Sequence, residues 1–409
     1  MQNWKKTVTW FLAGQVVSLF GSSLVQYALM WSVTLRSQSG SMMTIAILCG
    51  FLPMFFLAPF AGVWADRFPR KRLMILADGG IAVSTLILAV FVFLGHDDLW
   101  LIFVFMAVRA LGSAVHSPAI SAVLPQIVPT EELTRVTGIN SSIQAAVLLV
   151  SPMVSGALLT FASLQVILLI DVITAAAAIA ILLLYIPIPV HQKAQEKQKV
   201  SYFTDMKDGF AYIAGHRFIK FFFAYCLSFM LMAAPVAFLT PLQVTRSFGD
   251  DYWRLMAIEI AFSLGMMIGG ALIAAKGGFR NRMHTMGAAT FAIGLCTAAM
   301  GLVSNFVVYL FFMLIAGFTM PCFNTPSSVI LQEKVDGDYL GRIFSVMGMI
   351  GSVGMPASML VFGPLADTVP IETLLIITGI AMAVIAVISL MSKTLLEAGK
   401  PLPKPEQAA

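Results

Sequence analysis

Charge is scarce in this chain, so the ionisable residues inside long apolar runs are the first candidates for chemistry. Arg109 lies about ten residues into one such run, roughly 15 Å deep at 1.5 Å per helical residue. A charge at that depth costs about 2.5–3.5 kcal/mol on insertion scales, so it must find a partner or face water. Two roles suit it: relaying protons or gating a charged substrate, or closing a structural ion pair. Asp171 and Glu259 are the clearest acids within such runs. A carboxyl withdrawn from water favours its neutral form, which lets it load and release a proton near neutral pH. Each is a candidate for proton coupling or for holding a substrate's positive charge; the plainer alternative is a buried structural partner. A potential of 100 mV contributes about 2.3 kcal/mol per proton, enough to hold a roughly fifty-fold substrate gradient. His116, more than a turn beyond Arg109, is either a further proton carrier or a hydrogen-bonded structural histidine. Asp78 and Glu333 stand nearer the ends of their runs and suit an anchoring role there.

Other chemistries lack their residues. No GxxxxGK[ST] loop is present to cradle a nucleotide's phosphates. The five histidines, His96, His116, His191, His216 and His284, are scattered, and no nucleophile stands with a base. Cys49, Cys226, Cys296 and Cys322 stand alone in apolar segments, as packing residues do. An enzyme is not expected, nor is a metal or any cofactor; the energy source expected is a proton gradient.

The elements that must position these residues are set by composition. Hydrophobic residues are 59% of the 409 and charged ones 11%, against about 25% charged in a soluble domain. Lipid is the solvent that suits such a chain, and helices satisfy the backbone within each segment. Apolar runs long enough to cross a roughly 30 Å core fall near 8–35, 42–65, 73–95, 99–124, 136–161 and 165–187. They resume near 218–243, 254–275, 283–304, 306–331, 339–364 and 370–392. The first run, from Val8 to about Thr34, is too long for a signal-peptide core and is expected to remain as a span.

Between the sets lies an interruption holding Lys193, Lys197 and Lys199. Its second part is amphipathic: Tyr202, Phe203, Met206, Phe210 and Ile213 share a helical face, which predicts a helix lying along the membrane surface. The tail from Gly399 reads as disordered. The expected division is 1–190, a linker over 191–217, 218–392, and a tail over 393–409.

Counting basic residues orients the chain. With both termini cytoplasmic, 21 of the 25 Lys and Arg fall on the cytoplasmic side; Arg36, Arg246 and Arg254 lie outside and Arg109 within a span. Asp97, Asp98, Asp250, Asp251, Asp367 and Glu372 all fall outside. This is the positive-inside pattern, and it places the protein in a plasma or inner membrane as a multi-pass chain. The basic residues gather on no soluble module, so nucleic acid is not an expected partner.

The halves also match each other. LTRVTG at 133–138 pairs with LGRIFS at 340–345, offset by 207; Pro118 pairs with Pro326, offset by 208. Arg70-Lys71-Arg72 pairs with Arg280-Asn281-Arg282, offset by 210. Three matches near one offset predict an all-α membrane protein of 12 transmembrane helices in two pseudo-symmetric six-helix bundles. Parallel repeats of this kind are a transporter architecture, with substrate bound between the repeats.

Between the second and third spans stands Gly62-Val-Trp-Ala-Asp66-Arg67-Phe-Pro-Arg70-Lys71-Arg72. It resembles the G-x-x-x-D-R-x-x-R-K/R-R signature of the major facilitator superfamily and occupies that signature's place. The resemblance implies a cytoplasmic latch: Gly62 lets helices approach, and Asp66 faces the start of span eleven at Gly341 and Arg342. Such a latch would help hold the outward-facing state. Arg109-Ala-Leu-Gly112 resembles the family's R-x-x-G motif. Ser151-Pro152-Met-Val-Ser155-Gly156 is a partial match to the G-P-x-x-G-G motif of its antiporters, with serines at two glycine positions. AGQVVSLFGSSLVQYALMW in span one, GFLP at 50–53, RALGSAVHSPA at 109–119 and YLGRIFS at 339–345 are similar to macrolide-efflux pumps of the superfamily.

What the resemblance implies is a secondary active transporter that exports small lipophilic or amphiphilic compounds by proton antiport, macrolide-like drugs first. Export of a siderophore or other metabolite, proton-coupled import, and a membrane sensor remain alternatives on one fold. Candidate cavity-lining residues are Gln15, Ser22 and Gln26 in span one, with Ser18 on the same face, and Asn140, Gln144, Ser151 and Ser155 in span five. Such stripes either line a wet cavity or hold helices together. The expected partners are a small-molecule substrate and the lipid bilayer, with the monomer as the working unit.

Overall fold

The computed structural model describes residues 4–186, 202–276 and 280–400; the side chains at 59, 62, 63, 65–67, 134, 202–208 and 338 also fall outside the description. Twelve helical stretches among the described residues are long and apolar enough to cross a bilayer. The first six are α1 (Trp4–Ser37), α2 (Gly40–Arg67), α3 (Arg70–Phe93), α4 (Leu99–Ile127), α5 (Leu133–Phe161) and α6 (Leu164–Tyr185). A short connecting helix, α7 (Tyr202–Gly215), follows. Then come α8 (Arg217–Phe238), α9 (Thr240–Ser247), α10 (Tyr252–Lys276), α11 (Arg282–Met300), α12 (Phe306–Lys334), α13 (Gly337–Thr368), α14 (Ile371–Met391) and α15 (Lys393–Ala398).

Each span expected from the sequence has its helix. The seventh is broken at Leu239 into α8 and α9, because Pro241 has no N–H to continue the ladder. Helix α3 shows why lipid is the solvent. Met74, Ile81 and Leu88 recur every seven residues and are buried, while Leu76, Val83 and Val90 recur at the same interval and are exposed. Both faces are apolar, which water would not tolerate over so long a helix.

The chain divides into two compact units. The first comprises residues 1–37, 45–198 and 251–256; the second 38–44, 199–250 and 257–409. In the first, α1 packs on α5 and α6, and α3 on α4 and α6. In the second, α11 packs on α12 and α14, and α8 on α13 and α14. The second unit's core mixes aliphatic side chains with an aromatic cluster, in which the Phe229 and Phe323 ring centroids lie 4.3 Å apart.

Three features differ from the sequence reading. The connecting helix belongs to the second unit instead of standing apart, and its later part docks on protein. Tyr212 donates a 2.9 Å hydrogen bond to Asp336 and stacks on Tyr339, and Ile213 is buried, while Phe210 stays exposed. The expected tail opens on α15, whose Leu395 is buried, and Gly399, from which the sequence predicts disorder, is placed and accepts a 2.9 Å bond from the Arg282 N–H. Residues 401–409 lie outside the described ones. Finally, the first turn of α2 groups with the second unit. There Asp367 accepts from the N–H groups of Gly40 (2.6 Å) and Ser41 (3.0 Å) and from the Ser39 hydroxyl (2.9 Å), capping that helix.

Candidate functional site: buried charges of the first unit

Two of the three charged candidates meet. Arg109 of α4 and Asp171 of α6 form an ion pair through Nη1 and Oδ2, with Asp171 fully buried and Arg109 4% exposed. Around the carboxylate, the Ser22 hydroxyl donates over 3.2 Å and that of Thr85 over 3.0 Å. Arg109 also donates to Thr85 and, over 3.2 Å, to the Ser22 carbonyl. Its Nε is buried without a partner among the described residues. Helices α1, α3, α4 and α6 thus each give one residue to a single charge-compensated cluster. A guanidinium in an apolar span demands such compensation, and this one finds it.

A second polar group lies further along the same helices. His116 Nε2 of α4 is 3.2 Å from Asp78 Oδ1 of α3, and the Ser18 hydroxyl of α1 donates to that oxygen over 3.0 Å. The sequence had placed Asp78 near the latch. It turns inward instead, where the Ser18 hydroxyl and the His116 imidazole stand beside it. Glu333 does hold a basic end: it pairs with Arg282, with Nη2–Oε1 at 2.7 Å.

Glu259 behaves differently. It stands about 10 Å into α10 by helical rise, half-buried, with no hydrogen bond or ion pair among the described residues. An acid so placed is available to a proton or to a cationic ligand.

The expected polar stripes split into two kinds. Ser18 and Ser22 serve the two acids, and buried Ser155 donates to the Leu24 carbonyl over 3.0 Å, so these hold helices together. Gln15 and Gln26 are half-buried without a described partner, Asn140 is buried and Gln144 is exposed. Ser151 is fully buried with an unpaired hydroxyl among the described residues. Between α1 and α5 a groove of about 520 Å³ is walled by Val8, Leu12, Val136 and Ile139, with Lys5, Glu132 and Arg135 among its charged residues. Its size lies within the range of small-molecule sites.

Of the latch motif, Gly62, Asp66 and Arg67 lie in the last turns of α2 with side chains outside the description, and so does the contact expected of Asp66. Arg70 donates to the Ala122 carbonyl. Lys71 donates to the carbonyls of Ile186 (2.9 Å) and Leu183 (3.4 Å), neutralising the open C-terminal end of α6. Arg72 is exposed. Gly341 is exposed, and Arg342 lies over the Tyr339 ring at 5.3 Å. Sequence reasoning missed the pairing of Asp78 with His116; it also missed Asp367 as a helix cap, since a span-end acid reads as topology alone. Among the described residues no three His, Cys, Asp or Glu are grouped to hold a metal.

Twelve apolar spans with buried charge among them define a polytopic membrane protein. The model of the Major Facilitator Superfamily matches residues 11–359, and the chain belongs to that family. Macrolide efflux protein A of Streptococcus pyogenes is 30% identical over 94% of this chain and 96% of its own length. Its namesake from Enterococcus faecalis is 31% identical over 78% of this chain and all of that protein. Among solved structures, the nucleoside transporter NupG superimposes with a TM-score of 0.68 at 14% identity, covering 92% of this chain and 98% of that one. That likeness shows the fold. The work of this protein is transport across a membrane, not enzymatic catalysis.

Proposed function

We propose that the protein exports small lipophilic or amphiphilic compounds, macrolide-like drugs first among them, by proton antiport and alternating access. The observation that carries this reading is the similarity to macrolide efflux proteins along nearly the whole of both chains. The apolar groove with charged residues beside it suits the same ligands. Within this reading both termini are cytoplasmic in a plasma membrane, as the distribution of Lys and Arg supports. Glu259, without a described partner, is the acid that takes up a proton or the substrate's cationic group. The Arg109–Asp171 cluster, to which four helices of the first unit each give a residue, is a gating element of the same cycle. No cofactor is needed beyond the proton gradient.

Cells expressing the protein are expected to accumulate less of a radiolabelled macrolide or a cationic lipophilic dye, and a protonophore is expected to abolish the difference. Raised accumulation would reverse the direction to import. A difference that survives the protonophore would remove protons as the driver.

A further inference from the structure

The polar contacts of the first unit form two stations stacked along the same three helices. On α4, Arg109 and His116 are seven residues apart, two turns on one face; on α3, Thr85 and Asp78 are likewise seven apart. On α1, Ser22 and Ser18 are one turn apart. Seven residues of helix span roughly 10 Å. One station is therefore Arg109–Asp171 with Thr85 and Ser22, and the other is His116–Asp78 with Ser18. Between them Ile81 packs against Gly112, where an added Cβ would lie 2.5 Å from the Ile81 side chain, so an apolar layer separates the two.

The stations differ chemically. An arginine does not surrender its proton, so the first is fixed as a cation beside an anion. The second joins two groups that both titrate. With neutral histidine it carries one negative charge, and one proton from water brings its net charge to zero as an imidazolium–carboxylate pair. Released to water again, that proton restores the starting state. Asp78 is 5% exposed and His116 14%, and His116 Nε2 is buried without a hydrogen bond among the described residues, so its capacity is open to a proton.

Several other charges on the surrounding helices have partners of their own. Arg36 pairs with Asp97, and Arg135 with Glu132. Arg70 and Lys71 hold backbone carbonyls, and Tyr185 stacks on Trp10. Lys5, Lys6 and Arg72 are exposed at helix ends, and Asp66 and Arg67 stand in the last turns of α2.

We infer that Asp78, His116 and Ser18 form a proton-binding station whose occupancy is part of the transport cycle, additional to Glu259. This rests on the antiport reading above. The test uses the full chain in proteoliposomes, with labelled macrolide as probe. It compares uphill transport driven by an imposed pH gradient with substrate counterflow, which needs no net proton movement. His116→Gln and Asp78→Asn are expected to lose the pH dependence of driven transport and most of its rate, while counterflow remains. Ser18→Ala removes only the hydroxyl that favours the carboxylate. Its pH profile is expected to move upward by about half to one unit, the equivalent of one hydrogen bond. That variant is small enough to keep the test decisive should either of the others fail to fold. An unchanged profile in Ser18→Ala and His116→Gln, over a wild type that does respond to the gradient, overturns the station and leaves antiport standing. A wild type that ignores the gradient overturns antiport itself, and the station with it.

Discussion

In the first unit, helices meet at ionisable groups: Arg109 pairs with Asp171 and His116 stands 3.2 Å from Asp78, with serines and a threonine beside them. In the second, the fully buried side-chain pairs among the described residues are neutral. Tyr225 and Thr290 share a 2.6 Å hydrogen bond, Tyr309 donates to Gln243 over 2.9 Å, and aliphatic and aromatic side chains fill the remaining core. The offset of 208 that relates Pro118 to Pro326 also relates Arg109 to Gly317 and Ser18 to Cys226. The offset of 207 relates Asp171 to Thr378, whose described bonds stay within its own helix, to the carbonyls of Leu374 and Leu375. At Gly317 the helices approach backbone to backbone, because an added Cβ would lie 2.0 Å from the Phe262 carbonyl. The duplicated plan has thus kept helix lengths and prolines while assigning the interior charge clusters to one copy. A buried ion pair is weak evidence for stability, since apolar replacements often serve as well. Its restriction to one copy points to function.

Four variants probe this asymmetry on one scale, the melting of the purified protein in detergent. Arg109→Ala strands the Asp171 carboxylate in a dry site and is expected to cost about 3–5 kcal/mol, the largest effect. The double variant Arg109→Leu with Asp171→Leu is expected to recover most of that loss and to transport poorly. A double variant as unstable as the single one would mean that the pair itself holds the bundle. Gly317→Ala is expected to cost about 1–3 kcal/mol by pushing α12 away from α10. Melting unchanged there would show that the second unit does not depend on close approach at this point. Glu259→Gln comes last, with melting essentially unaltered because no described partner is lost. Uphill transport is nonetheless expected to fall at least tenfold while counterflow persists; undiminished uphill export would remove Glu259 from coupling.

The spans, their number and the duplication were legible because apolar length and repeated prolines are local signals. Arg109 was legible as a residue that must find compensation, since no guanidinium rests alone in lipid. Its choice of Asp171 was not, because the pair joins helices 62 residues apart and sequence offers no measure of helix rotation. The same limit hid Asp78 with His116. Polar stripes were visible at helical spacing, yet spacing alone does not separate Ser155, bonded to a neighbouring backbone, from Ser151, whose hydroxyl has no described partner. The docking of the connecting helix depends on Tyr212 meeting Asp336, a contact that amphipathicity cannot distinguish from a bed of lipid headgroups.

The most direct test records both fluxes at once, in sealed proteoliposomes with a pH-sensitive dye inside and labelled macrolide outside. Adding substrate to the wild-type protein should move protons in the opposite direction, in step with substrate entry. Substrate that crosses with no proton signal, or with protons travelling alongside it, would contradict the account.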